Sequence, residues 1–364
     1  MAEAALSRAV PLPPDCVPLV DRVEAELRRF LGAQRVAFRR RDPDVLLLLD
    51  ELDRVIESGG KRLRPLFCCL GHMAAGTDTD DRAVRAAAAL ELLHTFAIVH
   101  DDVMDRSTSR RGVPATWVHL ADLHRKVGLS GDPDGYGLAG AILLGDLALV
   151  LAGRALRESG FAPDRLVPAM ERYDRMRAEV VAGQYLDVLA AHRGAADEIQ
   201  ARRIAVLKSG GYTVEGPLHI GALLAGGSAA LMECLSRYGV VLGEAFQLRD
   251  DVLGVFGDPE VTGKDRDSDL REGKRTLLVA RAAAEAGPED RGFLTDRLGR
   301  PDMTAQEVER ARAILRETGA LDRTLELIEE LVTGAKAAID PALVREPAAG
   351  LLEDMADLVA VRRL

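Results

Sequence analysis

The chain has 364 residues, with 48 Lys and Arg against 58 Asp and Glu and a formal net charge of −10. That balance argues against a general nucleic-acid binder, which draws its affinity from clustered positive charge. With 48% hydrophobic and 29% charged residues, the chain reads as folded rather than disordered, long enough for two ordinary domains or one large helical one.

Residues 1–17 carry three prolines and little to bury, and read as a flexible leader ahead of a single domain over 18–364. The leader lacks the basic start and apolar core of a signal peptide. Residues 23–29 and 45–56 are amphipathic, and the second stretch runs into Gly59-Gly60. An Ala/Leu-rich helix is expected over 81–105, then a glycine-rich loop over 130–137. Further helices are expected over 139–159, 163–190, 198–225, 229–256, 276–286, 304–317, 322–339 and 347–364. Strand-like alternation is nowhere sustained, and aromatics are scarce (8 Phe, 5 Tyr, 1 Trp), so the fold class is all-α. Cys16, Cys68, Cys69 and Cys234 lack metal-site spacing, which favours a reduced, cytoplasmic chain. No run approaches the roughly 20 uninterrupted apolar residues of a membrane span, so no transmembrane segment is expected.

Chemistry concentrates at two acidic motifs. Asp101-Asp102-Val103-Met104-Asp105 ends the Ala-rich helix. Asp101 and Asp105, four residues apart, share one helix face, with Asp102 about 100° around the axis. Carboxylates this close repel one another unless a cation intervenes, and hard oxygens with room for water suit Mg2+. A solvated acidic helix end is the plainer reading. However, the apolar run Phe96–Val99 leads the acids inward, and acids at a helix C-terminus oppose its dipole. About 150 residues further on, Phe246-Gln247-Leu248-Arg249-Asp250-Asp251-Val252-Leu253-Gly254 repeats the pattern. Two such helix ends facing across a bundle cavity could clamp a polyanion through bound metals.

Suitable bases are present. Gly59-Gly60-Lys61-Arg62-Leu63-Arg64-Pro65 sets three cations behind two glycines, and Arg110-Arg111-Gly112 follows the first acidic motif. Glycines admit close backbone approach, and arginine forks grip phosphate oxygens bidentately. Alone, the first stretch would be an ordinary basic turn, and Lys208, Lys264 and Lys274 ordinary surface lysines. Together, two acidic sites and two arginine clusters describe two diphosphate subsites.

The order GGKRLRP, DDVMD, RRG, FQLRDDVLGVFGDP and SDLREGK resembles the trans-type isoprenyl diphosphate synthases, or polyprenyl synthetases, over roughly residues 20–345. The resemblance implies an isoprenoid synthase helical bundle around a central cavity, usually a homodimer. It implies a Mg2+-dependent prenyltransferase that joins isopentenyl diphosphate to an allylic diphosphate, head to tail. By this resemblance Asp101, Asp105 and Asp250 are the metal ligands, supported by Asp102 and Asp251. Lys61, Arg64, His94 and Arg111 bind isopentenyl diphosphate. Arg110, Lys208, Ser209, Gln247, Lys264 and Lys274 serve the allylic diphosphate, with Arg110, Lys208 and Gln247 also counted in the catalytic set. His94 lies seven residues before Asp101 on the same helix face, although a lone histidine there could equally be a satisfied core residue.

Two positions depart from the family pattern. Gly254 stands where related second motifs end in aspartate, and Ser209 replaces a threonine while keeping a hydroxyl. The stretch 117–136 is longer than the family minimum and has no evident catalytic content. Phe96 could floor the cavity beside the small Ala97, a combination that resembles synthases making geranylgeranyl diphosphate; a farnesyl or longer product is the alternative. A class I terpene cyclase shares the fold, but its usual second metal triad includes asparagine, and this chain contains none. A non-catalytic partner subunit would typically have lost the acids of one motif; here both leading pairs are present.

Overall fold

A computed structural model describes residues 11–193, 197–257, 267–300 and 302–361. Helices α1 (Val17–Arg39), α2 (Leu46–Glu57), α3 (Leu63–Ala74) and α4 (Asp81–Met104) build the first part. A two-residue hairpin, β1 (Ser109–Arg110) against β2 (Val113–Pro114), pairs Arg110 with Val113 antiparallel. Then come α5 (Thr116–Val127), α6 (Pro133–Arg157), α7 (Pro163–Arg193) and α8 (Glu198–Ala205). A π-helical stretch, Val206–Glu215, joins α8 directly to α9 (Gly216–Ala225). The chain continues through α10 (Ala229–Phe256), α11 (Ser268–Glu272), α12 (Leu277–Glu285), α13 (Pro288–Arg297), α14 (Ala305–Glu317), α15 (Ala320–Ala337) and α16 (Ala348–Val361). The all-α expectation holds.

Apolar side chains form two clusters. One gathers α1, α2, α4, α6 and α7 around Leu90, Leu144 and Tyr173. The other gathers α3, α9, α10 and the C-terminal helices around Phe67, Leu218 and Tyr238. Of the expected leader, residues 1–10 lie outside the described residues; Pro14–Cys16 forms a 3-10 turn, and Cys16 is buried against the second cluster.

Several expectations need correction. The loop placed at 130–137 is largely helix, because α6 starts at Pro133. Asp132 caps it, accepting from the N–H of Asp134 at 3.2 Å and Gly135 at 2.9 Å, and proline suits a first turn. The glycines there serve packing: a Cβ on Gly137 would lie 2.1 Å from the Trp117 carbonyl on α5. Helices α3, α5 and α13 were not expected at all. Helix α3 is buried on almost every side, and it starts inside the basic stretch that reads as a turn. The helix expected over 198–225 is interrupted by the π-helical stretch. Finally, α4 and α6 are both long and apolar enough to cross a membrane by length and composition. Their few charges, among them Glu91, Asp101, Asp102 and Asp146, interrupt the apolar run yet leave its mean hydropathy at 1.3 and 1.8. Helix α4 is a core helix whose window is mostly buried.

Candidate functional site: a cationic and acidic cavity

A cavity of about 880 Å3 opens between the ends of α4, α7 and α10, the start of α3 and the π-helical stretch. Its lining includes Lys61, Arg64, His94, Phe96, Ala97, Asp101, Arg110, Arg111, Lys208, Ser209, Gln247, Asp250, Asp251 and Lys274. Residues from every motif singled out in the sequence therefore meet in one place. Asp102 and Asp105 stand just behind the wall. Lys264 lies outside the described residues.

At one side, Arg64 and Arg111 are held by neutral partners. Gly59 and Gly60 have φ of +105° and +131°, a region glycine enters without penalty. The turn they make lets the Arg111 guanidinium press against Gly60, where a Cβ would lie 2.9 Å from Nη2. Arg111 Nη1 donates to the Gly59 carbonyl. Arg64 Nη2 donates to the Tyr212 hydroxyl at 2.7 Å and the Thr213 hydroxyl at 2.8 Å, with its guanidinium 4.2 Å above the Tyr212 ring centroid. Tyr212 also meets His94 Nδ1 at 3.2 Å. Burial, reinforced by Arg64 and Arg111, pushes the His94 pKa well down, so its imidazole is neutral. Arg62 also lines the cavity, but its charge is matched by Glu91 in a buried pair at 2.8 Å.

At the other side, Arg110, Lys208 and Lys274 are each paired with carboxylates. Arg110, returned by the β1–β2 hairpin, donates through Nε to Asp102 at 2.7 Å and through Nη2 to Asp101 at 3.3 Å. Lys208 Nζ donates to Asp187 at 2.7 Å and Asp101 at 3.2 Å. Lys274 Nζ lies 2.6 Å from Glu272, 3.2 Å from Asp269 and 3.5 Å from Asp105. Burial would depress both lysines, but these acids hold their pKa values above the usual range. Burial, with the neighbouring Asp101, pushes the Asp105 carboxyl up to about 7. Burial pushes Asp251 up to about 8 despite a hydrogen bond from Gln247 Nε2 at 2.6 Å.

The residues fit a divalent cation delivered with its ligand. Asp105 Oδ2 is buried without a hydrogen-bond partner, and the carboxylates of Asp101, Asp105 and Asp250 are hard oxygen donors. Among the described residues no three acidic, histidine or cysteine side chains converge into a finished metal cage. Mg2+ is commonly bound in this way, through one or two carboxylates, water and substrate phosphates.

Sequence reasoning missed Gln184, Asp187, Tyr212 and Thr213. Gln184 Nε2 donates to Asp101 at 3.0 Å. Gln184 and Asp187 stand one turn apart on α7, a polar pair on the cavity side of a helix whose buried residues are otherwise apolar, and that spacing was the available signal. The stretch 117–136 also has a role: Trp117 Nε1 donates to the Ser107 carbonyl at 2.7 Å, pinning the loop between the first acidic motif and the hairpin.

Residues 46–315 match the polyprenyl synthetase family model. The chain belongs to that family. It is similar to a geranylfarnesyl diphosphate synthase of Aeropyrum pernix, 37% identical over 74% of this chain and 79% of that one. It is also similar to a geranylgeranyl diphosphate synthase of Methanosarcina mazei, 35% identical over 85% and 87%. A solved structure of a Corynebacterium glutamicum geranylgeranyl pyrophosphate synthase, complexed with isoprenyl diphosphate and magnesium, superposes with a TM-score of 0.90. Its sequence is 34% identical, over 95% of this chain and 99% of that one. This polyprenyl synthetase is a prenyltransferase with the isoprenyl synthase helical fold.

Proposed function

We propose that this polyprenyl synthetase condenses isopentenyl diphosphate with an allylic diphosphate, head to tail, with geranylgeranyl diphosphate as its product. The observation that carries the reading is the division of one cavity into two cationic subsites, one acid-poor and one acid-rich. Asp101, Asp105 and Asp250 would hold Mg2+, which supplies charge neutralisation for the departing diphosphate when bound. Arg110, Lys208 and Lys274 grip the allylic diphosphate as negative charge develops on its leaving oxygen. Ser209 and Gln247 complete that wall. Lys61, Arg64, Arg111 and neutral His94 hold isopentenyl diphosphate so that its double bond attacks the allylic carbon. Proton loss to the released diphosphate then restores the alkene. The apolar depth of the cavity keeps water from the cationic centre.

Phe96 and Ala97 both line the cavity, and the Phe96 ring rests edge-on against His100 with centroids 4.9 Å apart. A braced aromatic of this kind supports a floor that stops growth at the twenty-carbon product. Phe96→Ala is expected to lengthen the product; chromatography showing an unchanged chain would remove Phe96 from that role. We also propose a homodimer. Helix α6 leaves Ile142, Leu143 and Val150 exposed, and α7 leaves Val181 and Tyr185 exposed, apolar surface suited to a second copy. The four cysteines, free and buried, suit a reducing cytoplasm.

The deciding experiment incubates purified protein with Mg2+, isopentenyl diphosphate and each allylic primer in turn. Diphosphate release with a longer prenyl product is expected. A hydrocarbon product would point to a cyclase, and absence of turnover to a partner subunit.

A further inference from the structure

A second cavity, of about 490 Å3, lies between α1, α4 and α6 and shares no lining residue with the reaction cavity. Its α4 wall is the stripe Arg85, Ala88 and Leu92. Arg85 precedes Asp101 by about 24 Å along the helix, at 1.5 Å per residue. Packed helices normally fill the space between them with side chains. Here Ala33 and Ala37 of α1, Ala88 of α4 and Ala155 of α6 line the gap, and side chains that end at Cβ leave it open. Leu27, Phe30 and Leu92, all buried, make an apolar wall. Three guanidiniums, one from each helix, line the same space. Arg29 is clasped by Glu26 at 2.7 and 2.5 Å. Arg154 is held by Glu158 at 2.8 Å and by the buried Gln34 at 3.0 Å. Arg85 is different. Half-buried, it reaches only the Ser159 carbonyl, at 3.4 Å, and no carboxylate among the described residues pairs with it. The lining therefore sets Arg29, Arg85 and Arg154 against Glu26 and Glu158, with the unmatched charge on Arg85. A guanidinium drawn out of water without a carboxylate or phosphate is left wanting an anion.

We propose that this cavity binds a small amphipathic anion, a phosphate or carboxylate head on a short apolar body. The head meets Arg85, beside Arg29 Nη1 and Arg154 Nη2, which their own partners leave unused. The body lies on Leu27, Phe30 and Leu92, in a volume within the roughly 300–1,000 Å3 usual for small-molecule sites. A bare polar anion would leave the apolar wall wet, and a purely apolar ligand would cover Arg85 with no counter-charge. Glu26 and Glu158 are each taken up by an arginine, so guanidinium alone holds the head and no metal takes part. Leu92 stands one turn before Phe96 on α4, so the two cavities are stacked along one helix.

Calorimetric titration of the full chain with geranyl monophosphate and, separately, with octanoate tests this. The buffer contains no divalent metal, and excess isopentenyl diphosphate occupies the reaction cavity. At least one ligand is expected to bind with a Kd of about 0.1–1 mM, the range for ligands of this size; which one binds tells a phosphate head from a carboxylate. Inorganic phosphate, a head without a body, is expected to bind about tenfold more weakly or less. Arg85→Gln should weaken binding roughly 10–100-fold, the loss of a hydrogen bond to a charged group. Ala33→Phe, which fills the space from the exposed side of α1, should weaken it by about tenfold or more. Arg64→Gln, in the reaction cavity, should leave it unchanged. The proposal is overturned if neither ligand binds, or if inorganic phosphate binds as tightly as both. It is equally overturned if binding keeps full strength in folded Arg85→Gln or Ala33→Phe protein, or falls with Arg64→Gln alone. Should Arg85→Gln fail to fold, Ala33→Phe decides. None of these lining residues belongs to the prenyl-transfer site, so a protein that turns over no prenyl substrate sinks only the functional reading.

Discussion

The two ends of the cavity carry similar numbers of cations and hold them in opposite ways. Arg64 and Arg111 are held by hydroxyls and a backbone carbonyl, partners that leave a full positive charge facing the cavity. Arg110, Lys208 and Lys274 each face one or more carboxylates, which cancel that charge locally. Under the proposed function, a diphosphate at the first end would meet Arg64 and Arg111 with Glu91 as the nearby acid. At the second end the acids would oppose it beside the lysines, and divalent cations would shift that balance towards binding. Counting basic residues would miss this; what matters is what each one is paired with.

The contrast can be broken in several ways. The largest effect is expected from Asp101→Asn, because Asp101 is shared by Gln184, Lys208 and Arg110. Its kcat should fall roughly 10²–10³-fold, the scale of losing one well-placed electrostatic group. Binding of isopentenyl diphosphate without metal should change less than twofold; a matching fall, seen by calorimetry, would erase the distinction between the two ends. Next comes Tyr212→Phe, which removes a hydroxyl from both Arg64 and His94. A hydrogen bond to a charged group contributes about 1.5–3 kcal/mol, so the KM for isopentenyl diphosphate should rise about tenfold while that for the allylic substrate holds.

Dependence on pH sharpens the same contrast. Asp105 holds its proton up to about 7, and that proton competes with a metal. Mn2+–pyrophosphate affinity should therefore rise between pH 6 and 8, and Asp105→Asn should shrink that rise to the part set by Asp251 and by pyrophosphate's own proton. Isopentenyl diphosphate binding should stay level, since His94 is neutral throughout. Stability without metal runs the other way. A carboxyl whose pKa is raised from 3.8 to about 7 stabilises the fold fully below the lower value, and this is lost as pH rises through the upper one. The metal-free melting temperature should fall across that range. The smallest effect belongs to Gly60→Ala, whose Cβ would crowd the Arg111 guanidinium; a severalfold rise in the same KM is expected, with kcat unchanged.

Much of this was legible in the sequence because it is local. Asp101 and Asp105 share a face by spacing alone, and Gly59-Gly60 announces a turn that a guanidinium can approach. The missed residues act across the bundle. Nothing near Tyr212 in sequence says that its hydroxyl will meet Arg64, and Asp187 reads as one acid among many until α7 is packed against Lys208. Helix α3 escaped notice for a different reason: Lys61, Arg62 and Arg64 at its start, behind Gly59-Gly60, read as a basic turn. The start of α6 was obscured by glycines that suggest a loop by composition but are needed for contact with α5.

The π-helical stretch Val206–Glu215 carries Lys208 to Asp187 at the acid-rich end of the cavity and Tyr212 and Thr213 to Arg64 at the other. A π turn takes more residues than an α turn, so this stretch keeps its register only at its present length. Dropping one residue to restore an ordinary helix would swing every side chain on one flank by about 100° relative to the other. Lys208 and Tyr212 could then no longer face their partners together. The binding of donor and acceptor is thus tied to a single count of residues. Substitutions can adjust either subsite, but an insertion or deletion here would disturb both at once.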